Sequence, residues 1–507
     1  MSNNLELIND DNNNFKIIYP ELIKKINKRM LKEVEPKLEE ITSITKIILD
    51  FVKNKKRKIY GGYALNKLIM AKDKSMSFYT EDDTPDIDFY SPSPLEDLKE
   101  LCDIIYDKKF SPVEGKEAQH KETYSIYVNY KLYCDITYMP SNIYHQIKFI
   151  QLDGFMFAHP WFIMIDYFRM FTDPMVSYWR LEKHFERYRK LEKTYPLPKI
   201  LKPLKLEDSY NQDVKISMNL LFEEVSSYAT TLFTGFYAYN YYLYASEFKD
   251  NNNNYNFINI PFYEVYSTNY TDDGLKIIDF IKKSFPKNIV EKIGYEECYP
   301  FFQLYGYNTE FYYLNGNEKI PLLYLYSNNK RCIPFKNVEQ INFHNKKIEI
   351  SKNKQINIGS FDFNILHTLI ILVKIRIDNV NEWNEILYTL INGFVLFRNY
   401  YLKKNKITIY DNSIFQSFNI ECIGEIILPN RENRLIGEVR RKLGKPIKYI
   451  YNPNKNKNVG NYTFLNSSGN EIKNKKHFRL VEAFKNTNLL EDFEKEEVFN
   501  DNNSESD

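Results

Sequence analysis

The 507-residue sequence predicts an α/β (α+β) protein of two tandem units, each a mixed sheet flanked by helices. Three observations predict this class. Helix-like and strand-like periodicities alternate along the chain. The length exceeds what one ordinary hydrophobic core supports. A pattern that starts at residue 60 recurs, with its landmarks in the same order, from residue 234.

The composition is typical of a soluble globular protein and excludes several other classes. Its 69 Lys and Arg residues nearly balance its 67 Asp and Glu residues, so no global charge indicates a polyanionic partner. The five cysteines are scattered without a CxxC pair, which predicts neither a zinc site nor a disulfide framework and suits a reducing compartment. The polar N-terminus does not resemble a targeting peptide. No apolar run reaches the roughly 20 residues that a membrane-spanning helix needs.

The first unit is predicted to span residues 15–205, after a disordered N-terminus at 1–14. Apolar residues recur at helical spacing from residue 19 to residue 52, and Pro36 divides them into two helices. "RKIY" predicts a short strand and "YALNKLIMA" a helix, with Gly61 and Gly62 between them. "DIDFY" predicts a strand, and "PLEDLKELCDIIYDK" predicts a helix.

The first unit continues with a hairpin and two helices. "KETYSIYVNYKLYCDITYM" predicts a β-hairpin that turns near Asn129. "HPWFIMIDYFRMF" and "SYWRLEKHFERYRKLEKTY" predict helices separated by "TDP". On these helices His159 is expected to cap or pack, and Trp161 and Trp179 are expected in the core.

The second unit, predicted at 206–420, reads as a duplicate of the first. "TGFYAYNYYLYA" matches "YGGYALNKLIMA", "PFYEVYS" matches "PDIDFYS", "RCIPF" matches "YCDIT", and "FDFNILHTLIILVKIR" matches "LDGFMFAHPWFIMIDYFR". Chance similarity in a chain rich in Tyr, Asn and Ile is the alternative, but the shared order of the landmarks favours duplication. The matches predict four replacements that remove a metal site from the second copy: Phe262 for Asp86, Glu264 for Asp88, Phe236 for Gly62 and Ile333 for Asp135.

Residues 421–482 form a predicted basic segment, and 483–507 a predicted acidic, disordered tail. The basic segment predicts a sequence-independent contact with RNA phosphates, with Arg440, Arg441 and Lys442 as candidates. Ordinary solvated lysines are the alternative interpretation.

The candidate chemistry lies in "DIDFY" and "YCDITYM". Residues i and i+2 of a strand point to the same face, so Asp86 and Asp88 converge. Asp135, on a neighbouring strand, is the candidate third carboxylate. Close carboxylates repel unless cations lie between them, and an all-oxygen site suits Mg²⁺. The sequence therefore predicts a site for two divalent ions, Mg²⁺ or Mn²⁺.

The glycine pair predicts where the triphosphate of a nucleotide would bind beside these ions. Gly61 and Gly62 allow backbone N–H groups to approach a triphosphate at the start of the following helix. Tyr63, Arg169 and Lys183 are further candidates for contact with the nucleotide, against the alternative that they pack or are solvated.

These motifs resemble the polymerase-β-like nucleotidyltransferase signature. The forms "GGYALN", "DTPDIDFYS" and "CDITYM" resemble the poly(A) polymerase catalytic subunits of large cytoplasmic DNA viruses, mimivirus-type most closely and poxvirus-type more distantly. The resemblance implies template-independent addition of AMP from ATP to an RNA 3′ end and two tandem nucleotidyltransferase-like domains, the second degenerate. It implies that Asp86 and Asp88 bind both metals and that Asp135 binds the metal that activates the 3′-hydroxyl. It also implies a homodimer, and a location in the host cytoplasm (the viral factory) and in the virion.

Two other functions share these residues. A nucleotidyltransferase that modifies tRNA or protein would carry the same three carboxylates. A catalytically dead RNA-binding scaffold would carry two inactive copies.

Overall fold

The computed structural model of the protein describes residues 12–80, 82–200, 211–298, 306–328, 331–343, 348–377, 383–408, 411–444, 448–453, 462–465 and 471–474. The predicted acidic tail and residues 1–11 of the predicted disordered N-terminus lie outside these residues. Among the helices of the described residues, none combines the length and the apolar character needed to cross a membrane.

The first unit is one mixed sheet with helices around it. Its helices are α1 (Asn12–Glu33), α2 (Leu38–Asn54), α3 (Gly61–Lys72), α4 (Pro94–Asp107), α5 (Ser141–Gln146), α6 (Pro160–Phe171), α7 (Pro174–Ser177) and α8 (Leu181–Thr194), with 3₁₀ turns at Lys74–Met76 and Tyr178–Arg180. Its strands are β1 (Lys58–Tyr60), β2 (Ile87–Ser91), β3 (Val113–Glu117), β4 (Thr123–Val128), β5 (Lys131–Tyr138), β6 (Phe149–Leu152) and β7 (Phe155–Ala158).

The predicted elements of this unit are present. Pro36 lies between α1 and α2, and the β4–β5 hairpin turns at Asn129 and Tyr130, both at positive φ, as a tight two-residue hairpin needs. The strand order is β3-β4-β5-β2-β1-β7-β6. Strand β2 pairs with β5 in parallel and with β1 in antiparallel, so it lies at the centre of the sheet.

The second unit repeats this architecture. Its helices are α9 (Gln212–Ser226), α10 (Gly235–Ser246), α11 (Tyr270–Ser284), α12 (Lys287–Val290), α13 (Phe361–Ile377) and α14 (Asn384–Asn405). Its strands are β8 (Thr231–Thr234), β9 (Tyr263–Ser267), β10 (Ile293–Cys298), β11 (Asn308–Asn315), β12 (Glu318–Ser327), β13 (Ile333–Asn342) and β14 (Glu349–Gly359).

The strand order β10-β11-β12-β9-β8-β14-β13 reproduces that of the first sheet, with the same parallel and antiparallel neighbours. The predicted fold class of two mixed, helix-flanked sheets is confirmed. The predicted equivalence of Ile333 with Asp135 is wrong. Ile333 opens β13, whereas β12 is the strand that pairs in parallel with β9, and Tyr324 lies opposite Glu264 as Asp135 lies opposite Asp88. Tyr324 therefore takes the place of Asp135.

The chain after the second unit extends both sheets. It contains β15 (Cys422–Ile423), α15 (Pro429–Lys442), β16 (Lys448–Tyr451), β17 (Tyr462–Leu465) and β18 (Glu471–Asn474). Strand β15 pairs with β13 of the second sheet, while β16 pairs with β3 of the first sheet. The C-terminal segment therefore links the two units.

Two further expectations are wrong. Cys332 and Cys422 form a disulfide, although they are 90 residues apart and no spacing motif marks them. Trp179 is 62% exposed instead of lying in the core. By contrast, Trp161 packs in the contact between the units, where α6 lies against α13 and the Arg376 guanidinium lies 4.2 Å from the Trp161 ring centroid.

Candidate active site

Three carboxylates meet at the centre of the first sheet. Asp88 and Asp135 are opposite residues of the parallel strands β2 and β5, and Asp86 directly precedes β2. Cys134 and Ile136, on either side of Asp135, are fully buried, so Asp135 faces away from the core as predicted. The structure thus brings together the three acidic residues that the sequence singled out.

Asp88 carries the most strongly perturbed of these carboxyl groups. Burial raises its pKa well above the ordinary value, and the charges of Asp86 and Asp135 raise it further. The charge of Arg180 acts in the opposite direction. The site therefore concentrates negative charge that one nearby guanidinium offsets only in part, and a bound cation would relieve it.

Asp135 is held in place from the neighbouring strand. The Ser125 hydroxyl on β4 donates a hydrogen bond of 2.5 Å to Asp135 Oδ1. Burial raises the pKa of Asp135, the Ser125 hydrogen bond lowers it, and the charge of Asp86 raises it. The second carboxylate oxygen of Asp135 is left for another ligand.

The glycine pair brings these side chains close to the start of α3. Gly61 has a φ of +71°, and a Cβ atom on it would lie 2.1 Å from Asp88 Oδ2. A Cβ atom on Gly62 would lie 2.5 Å from Tyr79 Oη and 3.0 Å from an Arg187 nitrogen. The space that both missing side chains leave is thus occupied by polar groups of the site, beside the N-terminus of a 12-residue helix.

Three basic residues at the start of α8 and directly before it lie near the carboxylates. Arg180, Lys183 and Arg187 follow one another at three- and four-residue spacing, which places them on one helix face. Burial lowers the pKa of Lys183, the charge of Arg187 lowers it further, and the charge of Asp86 raises it. The Arg187 guanidinium lies 4.3 Å from the Phe78 ring centroid and 5.2 Å from the Tyr79 ring centroid.

Arg180, Arg187 and Tyr79 are site residues that the sequence reasoning missed. The spacing of Arg180, Lys183 and Arg187 was available as a signal, because it marks one face of a helix. Nothing in the sequence indicated Tyr79, since it reaches Gly62 only through the fold.

A cleft of about 480 Å³ opens beside Asp86. Lys183 and Tyr79 line it together with the segment before β2 and with Met30 of α1. Of the three carboxylates, Asp86 lines the cleft, so a polar substrate in the cleft would contact the site at Asp86.

The other two predicted nucleotide contacts, Tyr63 and Arg169, contact other parts of the protein. Tyr63 is half-buried against the core, where burial raises its pKa. Arg169 lies 3.7 Å from Asp166 on the same helix. His159 Nδ1 accepts a hydrogen bond from the Trp161 backbone, which confirms the expected capping role.

The candidate RNA contacts of the basic segment separate into two groups. Arg440 is buried, and its guanidinium lies 3.1 Å from Glu117 of β3. Arg441 and Lys442, the next residues of α15, are exposed. Arg440 thus anchors α15 to the first sheet, and only its two neighbours present their charge to solvent.

Among the described residues, no three acidic, His or Cys side chains form a group that could by itself hold a metal ion. An open arrangement of carboxylates is what Mg²⁺ commonly uses, since it keeps several waters and takes further oxygens from substrate phosphates. The donor set of Asp86, Asp88 and Asp135 fits such an ion, and the raised pKa of Asp88 marks the charge that the ion would balance.

The corresponding place in the second unit is filled by protein. Gly235 has a φ of +60°, and a Cβ atom on it would lie 1.6 Å from Glu264 Oε2, as Gly61 meets Asp88. His367 of α13 lies 2.8 Å from Glu264 Oε1. Phe262 and Tyr324 stand where the first unit has Asp86 and Asp135, with ring centroids 5.1 Å apart. The second unit therefore retains the backbone arrangement of the site but lacks two of its three carboxylates.

Two protein-family models match the chain. One is described as "Poly(A) polymerase catalytic subunit" and covers residues 46–177. The other is described as "APMV, Putative poly(A) polymerase, catalytic subunit, C-terminal" and covers residues 183–482. The three carboxylates fall in the first match, and the degenerate copy falls in the second.

Individual relatives agree with these matches. The "Putative poly(A) polymerase catalytic subunit" of Acanthamoeba polyphaga mimivirus is 33% identical over 94% of this chain and 85% of its own length. The African swine fever virus protein of the same name is 31% identical over 32% of this chain and 35% of its own length. The crystal structure of the Megavirus polyadenylate synthase superposes with a TM-score of 0.78 at 32% identity, covering 94% of this chain and 95% of that one.

Proposed function

The chain belongs to the family of viral poly(A) polymerase catalytic subunits, and we propose that it adds adenylates from ATP to RNA 3′ ends without a template. It is an enzyme of the polynucleotide adenylyltransferase class. The observation that carries the proposal is the convergence of Asp86, Asp88 and Asp135 beside the start of α3 in the first unit, and its replacement by Phe262, Glu264 and Tyr324 in the second.

The three carboxylates have distinct tasks in this proposal. Asp86 and Asp88 would hold two divalent ions, Mg²⁺ or Mn²⁺, and Asp135 would help to hold the ion that activates the RNA 3′-hydroxyl. When bound, such a pair lowers the pKa of the attacking hydroxyl and stabilises the leaving pyrophosphate. Ser125 fixes the orientation of Asp135 through its hydrogen bond to Oδ1.

The triphosphate lies between α3 and α8. The N-terminus of α3 supplies backbone N–H groups and the positive end of the helix dipole. Lys183 and Arg187 supply positive charge from the facing helix, and Arg187 is held against Phe78 and Tyr79. Phosphoryl transfer then depends chiefly on positioning and on charge stabilisation, which these groups provide.

The product of a primer-extension assay tests this proposal. The purified chain, an unstructured oligoribonucleotide, ATP and Mg²⁺ should give products extended by many adenylates. The other nucleoside triphosphates should give much shorter products. Addition of only one to three nucleotides would indicate an enzyme that modifies tRNA, and no addition at all would indicate a scaffold.

The basic face of α8 gives a second prediction. Arg187→Ala should raise the KM for ATP roughly 10- to 100-fold, because a charge-assisted hydrogen bond contributes about 1.5–3 kcal/mol. Steady-state kinetics with varied ATP and saturating primer measure this change. Arg189→Ala is the matched control, since Arg189 is an exposed arginine two residues further along α8. Equal kinetics of the two variants would contradict the role of Arg187.

We also propose a homodimer, which the family resemblance implies. A stripe of apolar side chains on α1 is exposed and offers a surface for it: Ile18, Leu22 and Ile26. Sedimentation should show a species of twice 60.8 kDa. Leu22→Asp with Ile26→Asp should convert it to the 60.8 kDa species. Wild-type sedimentation at the monomer mass would rule the homodimer out.

The family resemblance also supports a location in the cytoplasm of the host cell, in the viral factory, and in the virion. Immunodetection in fractionated infected cells and in purified particles tests this part of the proposal.

A further inference from the structure

Two large aromatic side chains are exposed directly before Arg180 in the chain. Tyr178 is 70% exposed and Trp179 is 62% exposed, and their ring centroids lie 5.3 Å apart with the ring planes nearly perpendicular. Exposure of a Trp side chain forgoes the free energy that burial of a large apolar side chain yields. Adjacent exposed aromatic rings are therefore candidates for a binding surface.

The backbone that presents this pair is fixed. Pro174 and Ser177, just before it, are buried, and the Ser177 hydroxyl lies 2.8 Å from both the Met170 and the Asp173 carbonyl oxygens. The Thr172 hydroxyl donates to the Arg169 carbonyl in the same segment. The rings therefore project from a rigid turn, so binding to them carries little ordering cost for the backbone.

Positive charge follows the pair directly. Trp179 is followed in the chain by Arg180, which is exposed and whose charge acts on Asp88. An exposed guanidinium group beside exposed aromatic rings is a combination that proteins use for single-stranded nucleic acid.

We propose that Tyr178 and Trp179 form a stacking platform for unpaired bases at the RNA 3′ end, with Arg180 contacting the adjoining phosphate. This inference rests on the proposed function, since it assigns the RNA primer to the rim of the same site. Stacking on an aromatic face tolerates any base, which suits an enzyme that extends RNA of varied sequence. A protein partner is the less favoured occupant, because the exposed Arg180 directly after the rings matches a polyanion.

Tryptophan fluorescence tests the platform directly. The chain has three tryptophans, and Trp161 and Trp383 are packed against other side chains, so Trp179 is the one that a solvent-borne base can stack on. Titration of the full chain with oligoadenylate, without ATP or divalent ions, should quench the emission and saturate. Trp179→Phe should lose most of this quenching while it keeps most of the affinity.

Affinity and kinetics complete the test. Trp179→Ala combined with Tyr178→Ala should weaken oligoadenylate binding roughly 5- to 150-fold, measured by fluorescence anisotropy of a labelled oligonucleotide. It should raise the KM for primer and leave the KM for ATP within about twofold. Tyr295→Ala is the matched control, since Tyr295 is an exposed tyrosine of β10 in the second unit.

Three results would overturn the platform: wild-type affinity of the double variant, an effect on the KM for ATP alone, or quenching that depends on protein concentration and not on oligonucleotide. The last would indicate a protein occupant. Failure of the proposed function is distinguishable, because a chain that binds oligoadenylate through Trp179 but extends no primer retains the platform and loses the polymerase.

Discussion

Asp88→Asn is expected to reduce AMP incorporation about 1000-fold or more while the protein remains folded. Asp88 lies between Asp86, Asp135 and the start of α3, and its loss removes a charge to which both proposed ions bind. Several kcal/mol of transition-state stabilisation correspond to a factor of this size. Single-turnover incorporation of labelled ATP into a primer measures the loss.

Thermal unfolding separates a catalytic defect from a folding defect. Burial and two neighbouring carboxylates raise the pKa of Asp88, so its ionisation at neutral pH opposes folding of the metal-free chain. The neutral Asn removes that cost, and metal-free Asp88→Asn should unfold at the wild-type temperature or above it. Mg²⁺ or Mn²⁺ should raise the unfolding temperature of the wild type and not of the variant.

Glu264→Gln provides the matched control for Asp88→Asn. Glu264 occupies the equivalent strand position of the second unit and lies 2.8 Å from His367. The substitution should leave incorporation within about twofold of the wild type. Comparable losses in both variants would mean that the two copies share the chemistry, which would contradict an active first unit beside an inactive second one.

Gly61→Ala is expected to abolish incorporation and to lower the free energy of unfolding by about 1–3 kcal/mol. Gly61 has a φ of +71°, which an L-residue adopts only with strain, and the added methyl group would lie 2.1 Å from Asp88 Oδ2. Asp88 must move away from the other carboxylates to accommodate it. Chemical denaturation and primer extension measure the two effects.

Gly235→Ala carries the same strain at the equivalent position. Its φ is +60°, and the added methyl group would lie 1.6 Å from Glu264 Oε2. It should lower the free energy of unfolding by a similar amount, while the folded protein retains its incorporation rate. Loss of specific activity in both variants, measured per folded molecule, would show that the backbone strain alone accounts for the effect of Gly61→Ala.

Local patterns were sufficient to predict much of the fold. Helical spacing around Pro36 located α1 and α2, and alternation around Asn129 located the β4–β5 hairpin. The landmarks shared by residues 60–91 and 234–267 predicted the duplication, which the matching strand orders confirm. The predicted equivalence of Ile333 with Asp135 is wrong because it relied on the similar composition of "RCIPF" and "YCDIT". The residue that lies opposite Glu264 of β9, as Asp135 lies opposite Asp88, is Tyr324. Which strands pair with each other depends on the whole sheet and cannot be read from one short stretch of sequence.

The sequence predicted the site residues that lie close together in the chain. Asp86 and Asp88 are two residues apart at the start of β2, and the glycine pair opens α3, so both features could be found by spacing. The contribution of Arg187 and Tyr79 depends on α8 and on the segment after α3 approaching Gly62, which no short stretch encodes. Trp179 was expected in the core because large aromatic residues are usually buried, and its exposure is the feature that suggests a binding surface.

Anomalous diffraction from a crystal soaked with Mn²⁺ and a non-hydrolysable ATP analogue tests the central claim most directly. We expect two manganese peaks about 4 Å apart between Asp86, Asp88 and Asp135, with the triphosphate toward α3 and α8. We expect no peak beside Glu264. Manganese bound elsewhere, with the three carboxylates of the first unit free of metal, would contradict a two-metal centre at these residues.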